Sequence, residues 1–197
     1  MQQGLIIVHT GDGKGKTTAA LGLALRAWGD GLRVLILQFI KSDRETGEKK
    51  AIERLTALDG LCGLDDSDDV PDAGNGGRMG HIELRSCGLG FARRDSAHFA
   101  EHRQAALDAL GMARHEMLSG QWDMLILDEI NYAMRGGLLT PEEVLALLDA
   151  RPASMHLVLT GRGVPDKIAA RADLITEMKL VRHPYQQGIQ AQRGIEF

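Results

Sequence analysis

Thr10-Gly-Asp-Gly-Lys-Gly-Lys-Thr-Thr18 separates an apolar stretch, Leu5-Ile-Ile-Val8, from a helical pattern that starts near Lys16. Strand, glycine-rich turn and helix in that order form a triphosphate-binding loop. Gly11, Gly13 and Gly15 let the backbone turn successive N–H groups toward one point where an anion can sit. The helix N-terminus behind them adds partial positive charge. Lys16 then brings a mobile full charge to phosphate oxygens, and Thr17 a hydroxyl suited to the Mg²⁺ that accompanies a nucleotide. One position departs from the general pattern, which places glycine where this chain has Thr10.

Outward from the loop, short apolar runs alternate with longer amphipathic ones. The helix after the loop runs to about Trp28, with Leu21, Ala24, Leu25 and Trp28 on one face as expected core residues, and Gly29-Asp-Gly31 ends it. Arg33-Val-Leu-Ile-Leu-Gln-Phe39 is nearly continuous in apolar residues, as a strand buried on both faces of a parallel sheet should be, and is expected beside the first strand. Further strands are predicted at 82–86, 124–127, 156–160 and 174–181, with helices at 46–58, 95–118, 141–150 and 165–173. The alternation predicts a doubly wound, mostly parallel α/β sheet of the P-loop NTPase (RecA-like) class. At 197 residues, one domain spanning 1–197 is expected. Residues 59–80 break the pattern. Rich in aspartate and glycine and poor in large apolar residues, they read as a mobile loop, either a lid or a solvated insertion.

A formal charge of −4 gives no general attraction to nucleic acid. Two cysteines, Cys62 and Cys87, make neither a disulfide framework nor a zinc site and suit a reducing, cytoplasmic setting. No apolar run approaches the roughly 20 residues of a membrane span.

The second chemical motif is Met124-Leu-Ile-Leu-Asp128-Glu129, an apolar strand ending in two acids. In an open α/β sheet ligands bind beyond the carboxyl ends of the strands, so these acids and the loop at 10–18 are expected at one Mg²⁺–triphosphate. One acid faces the metal and the other supports it. Three more loops should leave the same edge, starting from Gln38-Phe-Ile-Lys41, Ser86-Cys-Gly-Leu-Gly-Phe91 and Thr160-Gly-Arg-Gly163. Lys41 and Arg162 are either phosphate-neutralising groups or surface charges. His98 and His102, four apart on a helix, lack an evident third metal ligand and read as surface polarity.

Taken together, TGDGKGKTT followed by Ala19-Ala20, QFIK at 38–41, LDE at 127–129, TGRG at 160–163 and the tail GIQAQRGI at 188–195 resemble the P-loop-type ATP:corrinoid adenosyltransferases. The likeness runs from about residue 4 to the C-terminus in unbroken motif order. Thr10 is part of it, because that family's loop begins TGxGKGKT. The resemblance implies transfer of the 5′-deoxyadenosyl group of ATP to the Co(I) centre of a corrinoid, with triphosphate released. ATP would be held by Gly11, Asp12, Gly13, Lys14, Gly15, Lys16, Thr17, Thr18, Arg26, Lys41 and Arg162, its 5′ carbon turned toward the corrinoid. Thr17 and Glu129 are the implied ligands of Mg²⁺ (or Mn²⁺), Asp128 a supporting acid, and Lys16, Glu129 and Asp128 the catalytic set. A homodimer and a flavoprotein reductant are implied likewise. Several members carry Gly-Phe-Thr-Trp on the corrinoid side, where this chain has Gly88-Leu-Gly-Phe91. Leu89 and Phe91 are thus the implied corrinoid contacts, with one aromatic residue fewer. Two other classes share the loop: a P-loop kinase or NTPase, which releases ADP or phosphate, and a nucleotide-binding module without chemistry.

Overall fold

The computed structural model describes residues 3–42, 46–62, 80–91 and 94–195, side chains of 58–62 excepted. In chain order the elements are β1 (Ile6–Thr10), α1 (Lys16–Gly29), β2 (Arg33–Gln38), α2 (Gly47–Cys62), β3 (His81–Ser86), α3 (Phe99–Leu118), β4 (Met124–Asp128), α4 (Ile130–Gly136), α5 (Pro141–Asp149), β5 (His156–Thr160), α6 (Asp166–Ala169) and β6 (Leu174–Glu177). The strands form one sheet in the order β3-β2-β4-β5-β1-β6, and every neighbouring pair is parallel. The predicted doubly wound α/β sheet is therefore present.

Strand alternation divides the core in two. Leu35 and Leu37 of β2 and Leu125 and Leu127 of β4 face a cluster built with α3, α4, α5 and α6. Val34 and Ile36, and Met124 and Ile126, face the opposite cluster with α1 and α2. Helices approach the sheet closely because their inner stripes are small: Ala20, Ala24 and Ala27 on α1, and Ala106, Ala109 and Ala113 on α3. The start of α5 is set by a full capping box. Thr140 Oγ1 accepts from the Glu143 N–H at 3.2 Å while Glu143 Oε2 accepts from the Thr140 N–H at 2.7 Å.

Several expectations are corrected. β1 and β2 are not neighbours, since β4 and β5 lie between them; apolar content shows that a strand is central but carries no information about which strand lies beside it. Leu25 is 51% exposed rather than core, because the three alanines take the sheet-facing stripe. Leu21 and Leu25 instead line a cavity of ≈ 520 Å³ between α1 and α2. α2 continues through residues 59–62, and 63–79, the greater part of the expected mobile loop, lie outside the described residues. α3 begins at Phe99 instead of 95, α6 covers only Asp166–Ala169, and β6 ends at Glu177. No helix among the described residues is long and apolar enough to cross a membrane.

His9, on β1, is 8% exposed. Neither ring nitrogen has a hydrogen-bond partner. Burial pushes its pKa below the usual 6.5, so the folded protein binds this proton more weakly than the unfolded chain. Stability must then rise with pH up to about 6.5 and be lost progressively as pH falls below it. Denaturant midpoints measured between pH 5 and 7.5 are expected to show that slope, and His9→Phe should flatten it; an unchanged slope in the variant removes His9 as its source.

Candidate nucleotide-binding site

All strands being parallel, their C-terminal ends share one edge, and the loops after β1, β2, β3, β4 and β5 meet there. The period-two rule aims the last side chains. On the α1 face, β4 presents Met124, Ile126 and then Asp128, β2 presents Val34, Ile36 and then Gln38, and β5 presents Val158 and then Thr160. The three polar ends form one buried row under the first turn of α1. Asp128 Oδ1 accepts from Thr17 Oγ1 at 2.8 Å and from Thr160 Oγ1 at 2.7 Å, and Asp128 Oδ2 accepts from Gln38 Nε2 at 3.0 Å. With Asp128 only 1% exposed, these bonds replace water around its carboxylate. The row joins the phosphate loop to the acidic strand across an intervening strand, β5.

Gly15 caps α1 in the left-handed region, φ 103°, and Gly11 sits at φ 95°. Both turns keep the loop wrapped over the helix start. Lys16, 7% exposed, folds back so that Nζ donates to Gly11 O at 2.9 Å and Gly13 O at 2.6 Å. Burial pushes its pKa down; Glu129 and Asp12 push it up and Arg162 pushes it down.

Glu129 leaves the strand row. It caps α4 at φ 63°, the sole non-glycine residue at positive φ among those described. Its N–H donates to Thr160 Oγ1 at 2.9 Å, which holds this strained conformation. Burial, then the nearby Asp128, pushes the Glu129 carboxyl above the usual range, while Lys16, Lys41 and Arg162 pull it down. Three cations from three loops thus feel one half-buried acid. Gly161, at φ 124°, brings the Arg162 loop against α4. A Cβ there would lie 2.8 Å from Tyr132 N and 3.2 Å from Glu129 Oε2, so only glycine fits. Asn131 Nδ2 donates to Gly161 O across the same contact.

The loops after β2 and β3 are fastened together. Cys87 N–H donates to Gln38 O at 2.9 Å and Gly90 N–H to Ile40 O at 2.8 Å. Phe39 and Ile40 are buried, which leaves Leu89 and Phe91 exposed at the rim, 54% and 73%. Lys41 stands 3.9 Å from Glu48 of α2.

Lys16, Thr17, Asp128, Glu129, Lys41 and Arg162 are therefore gathered at one end of the molecule. Arg26 is not; it lies in the last turn of α1, ten residues and roughly 15 Å along the axis from Lys16. His98 pairs with Glu101 on the surface at 3.2 Å. Sequence reasoning gave no role to Gln38, Thr160 and Asn131. The period-two register of their strands was the available signal for the first two.

A family model described as ATP:corrinoid adenosyltransferase BtuR/CobO/CobP matches residues 2–197. The chain belongs to this family. Among relatives of this corrinoid adenosyltransferase family, the Corrinoid adenosyltransferase of Pseudomonas aeruginosa is 34% identical over 196 residues, covering 100% of this chain and 85% of its own. That of Sinorhizobium sp is 35% identical over 200 residues, 100% and 81% respectively. The Corrinoid adenosyltransferase CobA of Salmonella typhimurium is 34% identical over 197 residues, 100% and 87%. The family match thus spans both the phosphate loop and the tail at 188–195.

Proposed function

We propose that this protein transfers the 5′-deoxyadenosyl group of ATP to the Co(I) centre of a corrinoid and releases triphosphate. The observation that carries the reading is the Thr17–Asp128–Thr160 hydrogen-bond chain. It locks a triphosphate loop and an acidic strand end into one site, in a chain that belongs to the ATP:corrinoid adenosyltransferase family.

In the reaction, the cobalt(I) electron pair attacks C5′ of ATP. The cobalt–carbon bond forms as the C5′–O bond breaks, cobalt becomes formally Co(III), and triphosphate leaves with the bonding pair. Neither an activated water nor a phosphoryl acceptor takes part. The protein's task is to accept charge at the leaving group. The loop from Gly11 to Gly15, with Asp12 and Lys14 between its glycines, wraps the phosphates, its Gly13 N–H donating instead to Met178 O at 2.7 Å, and Lys16 exchanges its loop carbonyls for phosphate oxygens. Thr18 extends this contact, and Lys41 and Arg162 add charge from the neighbouring loops. Thr17 and Glu129 would hold Mg²⁺ or Mn²⁺, for which an all-oxygen set of hydroxyl and carboxylate is suited. Such an ion would neutralise the departing phosphates. Asp128, saturated by its three donors, orients Thr17. The 5′ carbon then faces the rim at Leu89 and Phe91, where the corrinoid sits. A flavoprotein reductant and a homodimer belong to the same proposal and rest on the resemblance. The reaction is placed in the cytoplasm, where ATP and a reducing poise coincide.

Incubation with ATP, Mg²⁺ and chemically reduced corrinoid should yield adenosylcorrinoid and inorganic triphosphate in equal amounts. Release of ADP or orthophosphate without a cobalt–carbon bond would assign the site to a kinase or NTPase instead.

A further inference from the structure

The rim of the site holds an aromatic contact that lies outside the 86–91 loop. Tyr132, on α4, meets Phe91 edge to face, with ring centroids 5.2 Å apart and planes at 86°. Such pairs hold each other's orientation beyond what area burial provides. Phe91 is largely exposed, whereas Tyr132 is half-buried, one part of it packed on the core cluster under α4. The contact is braced nearby. Arg94 donates from Nε to Gly136 O at 3.1 Å and from Nη2 to Arg135 O, so the chain following β3 grips the C-terminal end of α4. At the other end α4 is capped by Glu129 and pressed by Gly161. Tyr132 lies three residues after Glu129, within the first turn of the helix.

We propose that Tyr132 is a corrinoid-contacting residue, forming with Phe91 a two-ring wall assembled from two separate elements. This rests on the adenosyl-transfer reading above. Sequence alone counts one aromatic residue at this rim, because Leu89 stands in the 86–91 loop where relatives carry phenylalanine. The structure places a second ring there from 41 positions further along the chain than Phe91. Because that ring hangs from the helix that Glu129 caps, the corrinoid wall and the nucleotide acid share one rigid support. A large, flat, partly apolar macrocycle is the ligand chemistry such a wall fits, since an apolar rim and two rings offer contact area at little conformational cost.

The test compares Tyr132→Phe, Tyr132→Leu and Tyr132→Ala, measuring KM for cob(I)alamin and for ATP, equilibrium binding of cob(II)alamin, and melting temperature. Tyr132→Phe keeps the ring and should stay within about twofold of the parent protein. Tyr132→Leu keeps an apolar side chain without the ring and should weaken corrinoid binding about five- to tenfold with ATP KM within about twofold. Combining Tyr132→Leu with Phe91→Ala should cost less than the product of the single effects, because each removes the other's partner. Unchanged corrinoid constants in Tyr132→Leu, or equal losses for ATP and corrinoid alongside a lower melting temperature, would overturn the assignment. If the parent protein neither binds nor adenosylates corrinoid, it is the adenosyl-transfer reading that fails. An active parent with an unaffected Tyr132→Leu variant removes this inference alone.

Discussion

Replacing Lys16 by alanine is expected to lower the rate of adenosyl transfer by about 10²–10³-fold, the usual consequence of removing one preorganised charge-stabilising donor. The fold should be left intact. Lys16 is buried, its pKa is pushed down chiefly by that burial, and its hydrogen bonds run to the carbonyls of its own loop. The ammonium is thus held in a place that disfavours its charge until an anion arrives. Removing it takes away an ion whose burial costs stability, so the melting temperature of Lys16→Ala should match or exceed that of the parent. Single-turnover measurement of adenosylcorrinoid formation, with a thermal melt on the same preparation, reads both effects. A variant that turns over normally would end the role given to Lys16, and one that unfolds would make the residue structural.

The two adjacent acids should separate in the opposite sense. Asp128 accepts from Thr17, Gln38 and Thr160, all inside the protein. Asp128→Ala would strand the buried donors of Gln38 and Thr160 and the half-buried Thr17 hydroxyl, at about 1 kcal/mol each. A loss of about 3 kcal/mol lowers the melting temperature of a domain this size by roughly 6–12 °C, and activity falls with it because Thr17 loses its orientation. Glu129 is different. Burial raises its pKa above the ordinary carboxylate value, so its ionised form costs stability, and the cost appears as pH rises from the unfolded-chain pKa through the raised folded one. Glu129→Gln should therefore be at least as stable as the parent at neutral pH while losing most adenosyl-transfer activity. Melting curves and rates for both variants decide the matter. Equal destabilisation of both would contradict the division of labour drawn here.

What the chain reveals in advance follows from how far apart the cooperating residues are. The phosphate loop is nine consecutive residues, and the acids end one strand, so each is readable locally. The row that joins them is not. Gln38, Asp128 and Thr160 are each about ninety or thirty positions from the next, and they meet because β4 lies between β2 and β5. Strand order arises from helix crossovers, which no local apolar pattern encodes, and this is also why β2 was expected beside β1. α4 escaped for another reason. Seven residues ending at Gly136, with Gly137 as the cap, are too few for a helical period to stand out, yet this short helix carries Asn131 and Tyr132 to the site. The apolar run of β2, by contrast, is legible locally: it reads as a strand buried on both faces, and Leu35 and Leu37 enter one core cluster while Val34 and Ile36 enter the other.

The strand order also has a consequence for synthesis. Among the described residues β1 pairs with β5 and β6 alone, so it cannot join the sheet until residues 156–160 have been translated. At about 5–20 residues per second, roughly 150 residues take some 8–30 s. For that interval Leu5-Ile-Ile-Val8, an apolar segment, must wait unpaired, while β2, β3 and β4 can already assemble as a smaller sheet. The nucleotide site is therefore among the last parts of the newborn chain to exist.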